Sequence, residues 1–258
     1  MDALDTGRSL LMTHMVGGFP TFIESLSIAE TLIRSGADIL EIQIPFTDPI
    51  ADGPQIMEAC SEALRNGATP AECFSLAREV RACFDVPVVL MTYFNLLLKA
   101  GIESFVDDAR EAGVSGLIVP DLPLDSSEGA LLACGCRRRN LWIVPVVSPG
   151  VRSERLKKVL PLGSGFVYAT LKVGITGSSS LPSPDYAFLE SIRSITHLPV
   201  LGGFGITTVK SGVEAASWAD GAVVGSHLLR LFKARGEAGI AEFTSDLKAA
   251  MGKEKNNE

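Results

Sequence analysis

Between positions 38 and 54 the chain sets carboxylates against an apolar background. Glu41 lies inside Ile39-Leu40-Glu41-Ile42-Gln43-Ile44, and Asp48 and Asp52 follow in a loop stiffened by Pro45, Pro49 and Pro54. In a strand, side chains alternate between faces, so Ile39, Glu41 and Gln43 share one side and Leu40, Ile42 and Ile44 the other. The Leu/Ile side requires an apolar neighbour. The Glu/Gln side must line something polar, because a carboxylate in a core strand is costly unless paired, solvated or neutralised. General acid–base chemistry needs such groups, in environments that separate their pKa values. Glu41 is the first candidate for proton transfer. Asp52, before Gly53-Pro54, divides between a cap and a catalyst, and Asp48, beside Pro49, reads as a turn cap.

A second signal concerns anions. Gly202-Gly203-Phe204-Gly205-Ile206-Thr207 and Gly221-Ala222-Val223-Val224-Gly225-Ser226 each close an apolar run and open a helical one. Backbone N–H groups at a glycine turn and a helix N-terminus hold phosphate without basic side chains. Gly174-Ile175-Thr176-Gly177 could complete the cradle. Tyr93 and Asn95 could reach the same mouth, Asp121 stands between prolines as a rim contact or a stiffened loop, and His14, among apolar residues, reads as a packed core residue.

These residues need a frame. Eight apolar, often β-branched runs recur at 10–16, 38–44, 86–93, 115–119, 141–147, 165–171, 199–202 and 221–225. Amphipathic stretches such as 22–35, 70–84, 102–112, 185–196 and 207–216 separate most of them. Strands alternating with helices predict parallel pairing, and eight such units in 258 residues predict a (β/α)8 barrel, a TIM barrel. An open doubly wound sheet is the alternative, weakened by the lack of a Gly-x-Gly-x-x-Gly turn after the first run. In a barrel the active site lies at the C-terminal strand ends, and glycine turns after the last two strands commonly hold phosphate. Residues 55–66 predict an extra helix after the second strand, 174–184 a lid loop, 1–251 a single domain and 252–258 a frayed polar tail. The net charge of -7 argues against a nucleic-acid partner. No run of 18 apolar residues predicts a membrane helix, no signal peptide is evident, and five cysteines suit reduced thiols in a cytoplasmic protein.

Together these features resemble the tryptophan synthase alpha subunit family over about residues 13–231. The segment from Glu41 to Pro54 carries the likeness, with Met91-Thr92-Tyr93-Phe94-Asn95, Asp121-Leu122-Pro123, Gly174-Ile175-Thr176-Gly177, Gly203-Phe204-Gly205 and Gly225-Ser226 matching further blocks in order. The resemblance implies a lyase that cleaves indole-3-glycerol phosphate to indole and glyceraldehyde 3-phosphate without metal or Schiff base. By the same likeness Glu41 is the general acid–base residue, Asp52 holds the indole N–H, and Tyr168 stands near Glu41. Gly177, Gly205, Gly225 and Ser226 hold phosphate, Thr176 meets Asp52 on lid closure, and Tyr93 contacts the substrate. No cofactor is implied in this chain; pyridoxal phosphate is expected in a partner β subunit, within an α2β2 complex. The face around loop two, Asn95 and Asp121 would meet that partner.

The chain also departs from the pattern. Gln43 stands where the family usually has a small glycine and is expected to enter the cavity, bonding Glu41 or crowding the indole. His14 replaces an apolar or aromatic residue that contacts the indole. The segment before Thr13 is shorter than the family's leading helix. Two other readings stand beside the lyase: a weakly catalytic or non-catalytic partner that activates a β subunit, and a Schiff-base aldolase using Lys172.

Overall fold

The computed structural model describes Leu4 and residues 7–170, 186–203 and 205–254. Among the described residues, nine strands form one parallel sheet: β1 (Leu10–Val16), β2 (Ile39–Gln43), β3 (Val88–Met91), β4 (Gly116–Ile118), β5 (Trp142–Val144), β6 (Val146–Val147), β7 (Val167–Thr170), β8 (Val200–Gly203) and β9 (Gly221–Val224). Their order is β5-β4-β3-β2-β1-β9-β8-β7-β6. The two ends of this ladder, β5 and β6, are separated in the chain only by Pro145, so the sheet curls into the expected barrel. The predicted run 141–147 is thus split. Proline has no N–H to give a ladder, and its carbonyl instead accepts the Tyr168 N–H at 2.9 Å.

Helices surround the sheet: α1 (Phe22–Arg34), α2 (Pro54–Arg65), α3 (Pro70–Cys83), α4 (Phe94–Ala100), α5 (Ile102–Glu111), α6 (Ser127–Arg138), α7 (Ser153–Val159), α8 (Tyr186–Arg193), α9 (Val209–Trp218) and α10 (Ser226–Glu254). The inserted helix α2 opens on Pro54, whose missing N–H costs nothing in a first turn. Thr69 and Glu72 close a capping box on α3. Helix α10 is broken at Gly236, where φ is 63°, and it takes in residues 252–254 of the expected tail. No helix among the described residues is long and apolar enough to cross a membrane.

The alternation in β2 sorts as the sequence demands. Leu40, Ile42 and Ile44 point outward into a layer with Leu32, Leu76, Val80 and Phe105 from the helices. Inside the barrel, Ile39 packs with Leu10, Met12, Val89, Ile118, Trp142, Phe166, Leu201 and Val223. This plug fills the lower barrel. One or two positions further along the same faces the residues become polar: His14 after Met12, Glu41 and Gln43 after Ile39, Tyr168 after Phe166. The apolar plug forms the floor of whatever these polar side chains enclose.

At the opposite end, Asp38 clasps three parts of the chain. Its carboxylate accepts the Leu11 N–H at 2.7 Å, pairs with Arg8 at 3.0 Å, and contacts the Lys248 ammonium of α10. Lys248 also donates to the Ser9 carbonyl at 3.0 Å.

Candidate active site

A cavity of about 260 Å³ opens at the C-terminal ends of the strands, and Glu41, Gln43, Asp52, His14, Tyr168, Gly205, Gly225 and Ser226 all line it. A larger cleft of about 640 Å³ opens beside Asp121 and α7, but neither Glu41 nor Asp52 lines it. The acid–base chemistry available to the chain belongs in the smaller cavity.

Two carboxylates meet there in different surroundings. Glu41 is buried on β2, beside His14 in the β1–β2 register, and its Oε2 lies 3.2 Å from His14 Nδ1. Asp52 is buried in the following loop and accepts from Gln43 Nε2 at 2.6 Å and from the Tyr93 hydroxyl at 2.8 Å, both on Oδ2. Burial pushes the Asp52 carboxyl above its usual 3.8; His14, Gln43 and Tyr93 oppose the rise, and the charge of Glu41 adds to it. For His14, burial pulls the imidazole down, yet the charge and hydrogen bond of Glu41, with the charge of Asp52, outweigh it and leave the ring above 6.5. Burial, then Glu41 and Asp52, raise the Tyr168 hydroxyl well above 10, so it is neutral at physiological pH. Neighbouring groups with separated proton affinities are the arrangement that acid–base catalysis requires.

Gln43 does not bond Glu41 as the sequence suggests. The loop after β2 folds back, so its amide meets Asp52 and, at 3.5 Å, the thiol of Cys60 on α2. Burial pushes that thiol up to about 12, so the amide faces a neutral sulfur. Replacing Gln43 with leucine removes one of the two donors that the described residues bring to a buried carboxylate, a hydrogen bond worth about 1.5–3 kcal/mol when one partner is charged. We expect Gln43→Leu to raise the Asp52 pKa further and cut turnover at pH 7 by about tenfold or more. Unchanged turnover across pH 5–8 would remove Gln43 from the site.

Tyr93, expected to touch substrate, is fully buried behind Asp52 instead of lining the cavity. Its hydroxyl also accepts the Ala51 N–H at 3.1 Å, and its ring stacks on Phe46, so it braces the loop that carries Asp52. Asp121 accepts the Phe94 N–H through both oxygens, at 2.9 and 3.1 Å, and so caps α4. Asn95 is exposed on that helix. Asp48 accepts the Thr47 hydroxyl in an exposed turn. Ser148 and Thr170 line the cavity as well, and only their places at strand ends single them out in the sequence. Thr176, Gly177, Lys172 and the 174–184 lid lie outside the described residues.

The two glycine turns differ. Helix α9 starts beyond the first, and Thr208 and Ser211 close a capping box on its N-terminus. The second opens α10 at Ser226, with Gly225 and Ser226 both on the cavity wall, so the N-terminus of α10 begins at the site. Gly203 serves another purpose: a Cβ there would stand 2.8 Å from the Tyr168 hydroxyl, so only glycine leaves room for that ring.

The sequence matches the protein family described as "Tryptophan synthase alpha chain" over residues 1–257. It is 38% identical over 241 residues to the tryptophan synthase alpha chain of Desulfotalea psychrophila, covering 93% of this chain and 94% of that one. With the Bacillus thuringiensis alpha chain the identity is 39% over 246 residues, covering 93% of each. Among solved structures, tryptophan synthase of Mycobacterium tuberculosis superposes with a TM-score of 0.89 at 29% identity, covering 96% of this chain and 94% of that one. A mutant tryptophan synthase alpha-subunit from Pyrococcus furiosus gives 0.84 at 30% identity, covering 95% and 98%. A parallel barrel, two buried carboxylates at its mouth and likeness along almost the whole length agree: the chain belongs to the tryptophan synthase alpha chain family.

Proposed function

We propose that this cavity performs the lyase reaction of the family, cleaving indole-3-glycerol phosphate to indole and glyceraldehyde 3-phosphate with Glu41 and Asp52 as the working carboxylates. The observation that carries the reading is that both face one cavity in unlike surroundings, Glu41 beside an imidazole and Asp52 between neutral donors. Glu41, as acid, protonates the ring carbon that bears the glycerol chain. As base, it then takes the proton of the adjacent side-chain hydroxyl while the carbon–carbon bond breaks. The bonding pair returns to the ring, restoring indole, and the departing carbon becomes an aldehyde. Positive charge gathers on the ring nitrogen between these steps, and Asp52 holds that N–H. Tyr93 and Gln43, both bonded to one oxygen of Asp52, support its orientation. The N-terminus of α10 at Gly225 and Ser226, with Gly205, receives the phosphate.

The family favours this reaction over the Schiff-base aldolase and the binding-only partner. The further assignments are a β subunit as partner, pyridoxal phosphate held by that subunit, and a cytoplasmic location. The test is release of indole from indole-3-glycerol phosphate, followed with the chain alone and with a tryptophan synthase β subunit added. Cleavage is expected in both, faster in the complex; no indole in either would overturn the reading.

A further inference from the structure

His14 takes the barrel-facing place on β1 directly beside Glu41, and its Nδ1 approaches Oε2 to 3.2 Å with both side chains more than nine-tenths buried. The resemblance leads to an apolar or aromatic residue at this position, so a titratable ring against the central carboxylate changes the chemistry the site can hold. Among the described groups facing the pair, two carboxylates favour a retained proton and outweigh the burial that opposes it. Glu41 comes from β2 and Asp52 from the loop that follows, both carboxylates; Tyr168 comes from β7 and is neutral. From the β9–α10 side, Gly225 and Ser226 bring no charge, and behind the ring Met15, Val16, Leu228 and Leu229 are apolar.

We propose that His14 is a positioning residue that shares one proton with Glu41, so that the pair, and not the carboxyl alone, carries the proton delivered to the substrate. This rests on the acid–base role of Glu41 given above. Nδ1–H of the imidazolium passes its proton to Oε2, and Glu41 passes it to the ring carbon. Glu41 then takes the hydroxyl proton as the carbon–carbon bond breaks, and returns it to Nδ1. One proton leaves the substrate hydroxyl and one reaches the ring, so the pair ends as it began. Deprotonated, the pair has nothing to give, so turnover falls as pH rises through the raised value of His14, above 6.5. Stability follows the same sign: the contribution of the pair is complete below about 6.5, the unfolded value, and is lost as pH rises through the folded one.

His14→Asn separates the roles, because an asparagine amide stands near the place of Nδ1 and keeps a donor for Glu41 without a titrating ring. We expect kcat at pH 7.5 to fall about tenfold with KM little changed, and the alkaline limb of the pH profile to move down by about one unit or more. A profile that superimposes on that of the unmodified chain would overturn the proposal. Should the variant not fold, ring titration by NMR in the unmodified chain decides, since only three histidines are present. The His14 signal should titrate above 6.5 and drop by about one unit or more in Glu41→Gln. A ring titrating below 6.5, or unmoved by that substitution, overturns the proposal. Full indole release by Glu41→Gln would remove the role of Glu41 itself; an inactive Glu41→Gln beside an unshifted His14→Asn profile removes only the pairing.

Discussion

Glu41→Gln is expected to lower indole release by about 10²–10⁴-fold, the range that a positioned general acid–base group contributes. The amide keeps the size of the side chain and still accepts a hydrogen bond from His14, 3.2 Å away, but it cannot give or take the proton. Binding of the substrate and of a partner subunit should change little, because the phosphate seat at Gly225 and Ser226 and the bracing of Asp52 by Gln43 and Tyr93 do not pass through Glu41. The loss should therefore fall on kcat. Single-turnover measurement of indole formation at saturating substrate checks this, and a loss below about fivefold would assign the proton transfer to another group.

Asp38→Ala should have the largest effect on stability and leave the chemistry alone. The Asp38 side chain is 8% exposed and answers the Leu11 N–H, Arg8 and Lys248 at once. Its removal leaves the Lys248 ammonium, itself 20% exposed, against the foot of the barrel with the Ser9 carbonyl as its one remaining partner among the described residues. Breaking a buried pair from one side costs about 3–5 kcal/mol. For a chain of this size that lowers the melting temperature by on the order of 10 °C. Asp38→Asn, which keeps an acceptor for Leu11, should lose less. Calorimetry that found Asp38→Ala within about 1 kcal/mol of the parent would show that water replaces the clasp.

Much of this was legible in the sequence because local rules and tertiary demands agree there. The run at 10–16 is β1 residue for residue, and the two faces of 39–44 divide between barrel interior and helix layer as period two requires. The extra helix after the second strand follows from Pro54 and the amphipathic stretch behind it. The split at Pro145 follows from the missing N–H of proline, but where a barrel tolerates such a break depends on which strands are neighbours. The roles of Tyr93 and Gln43 escape a linear reading for the same kind of reason. Each is set by how the loop carrying Asp52 returns over the strand ends, bringing residues 41 and 9 positions apart onto one carboxylate oxygen. His14 looks like a core residue in its own strand, and only the register against β2 gives it a charged neighbour.

That register has a second side. Strand β1 pairs with β2 on one edge and with β9 on the other, joining Leu10 to Gly221 across the length of the barrel chain. The first strand therefore keeps one row of N–H and C=O groups unanswered until the last has been made, and loop-closure entropy weighs against their meeting. The fit is also unforgiving, for a Cβ on Gly221 would stand 2.2 Å from the Leu10 carbonyl oxygen. The barrel is thus closed like a set of staves, by β1 against β9, and the Lys248 contact to Ser9 is a hoop across that joint.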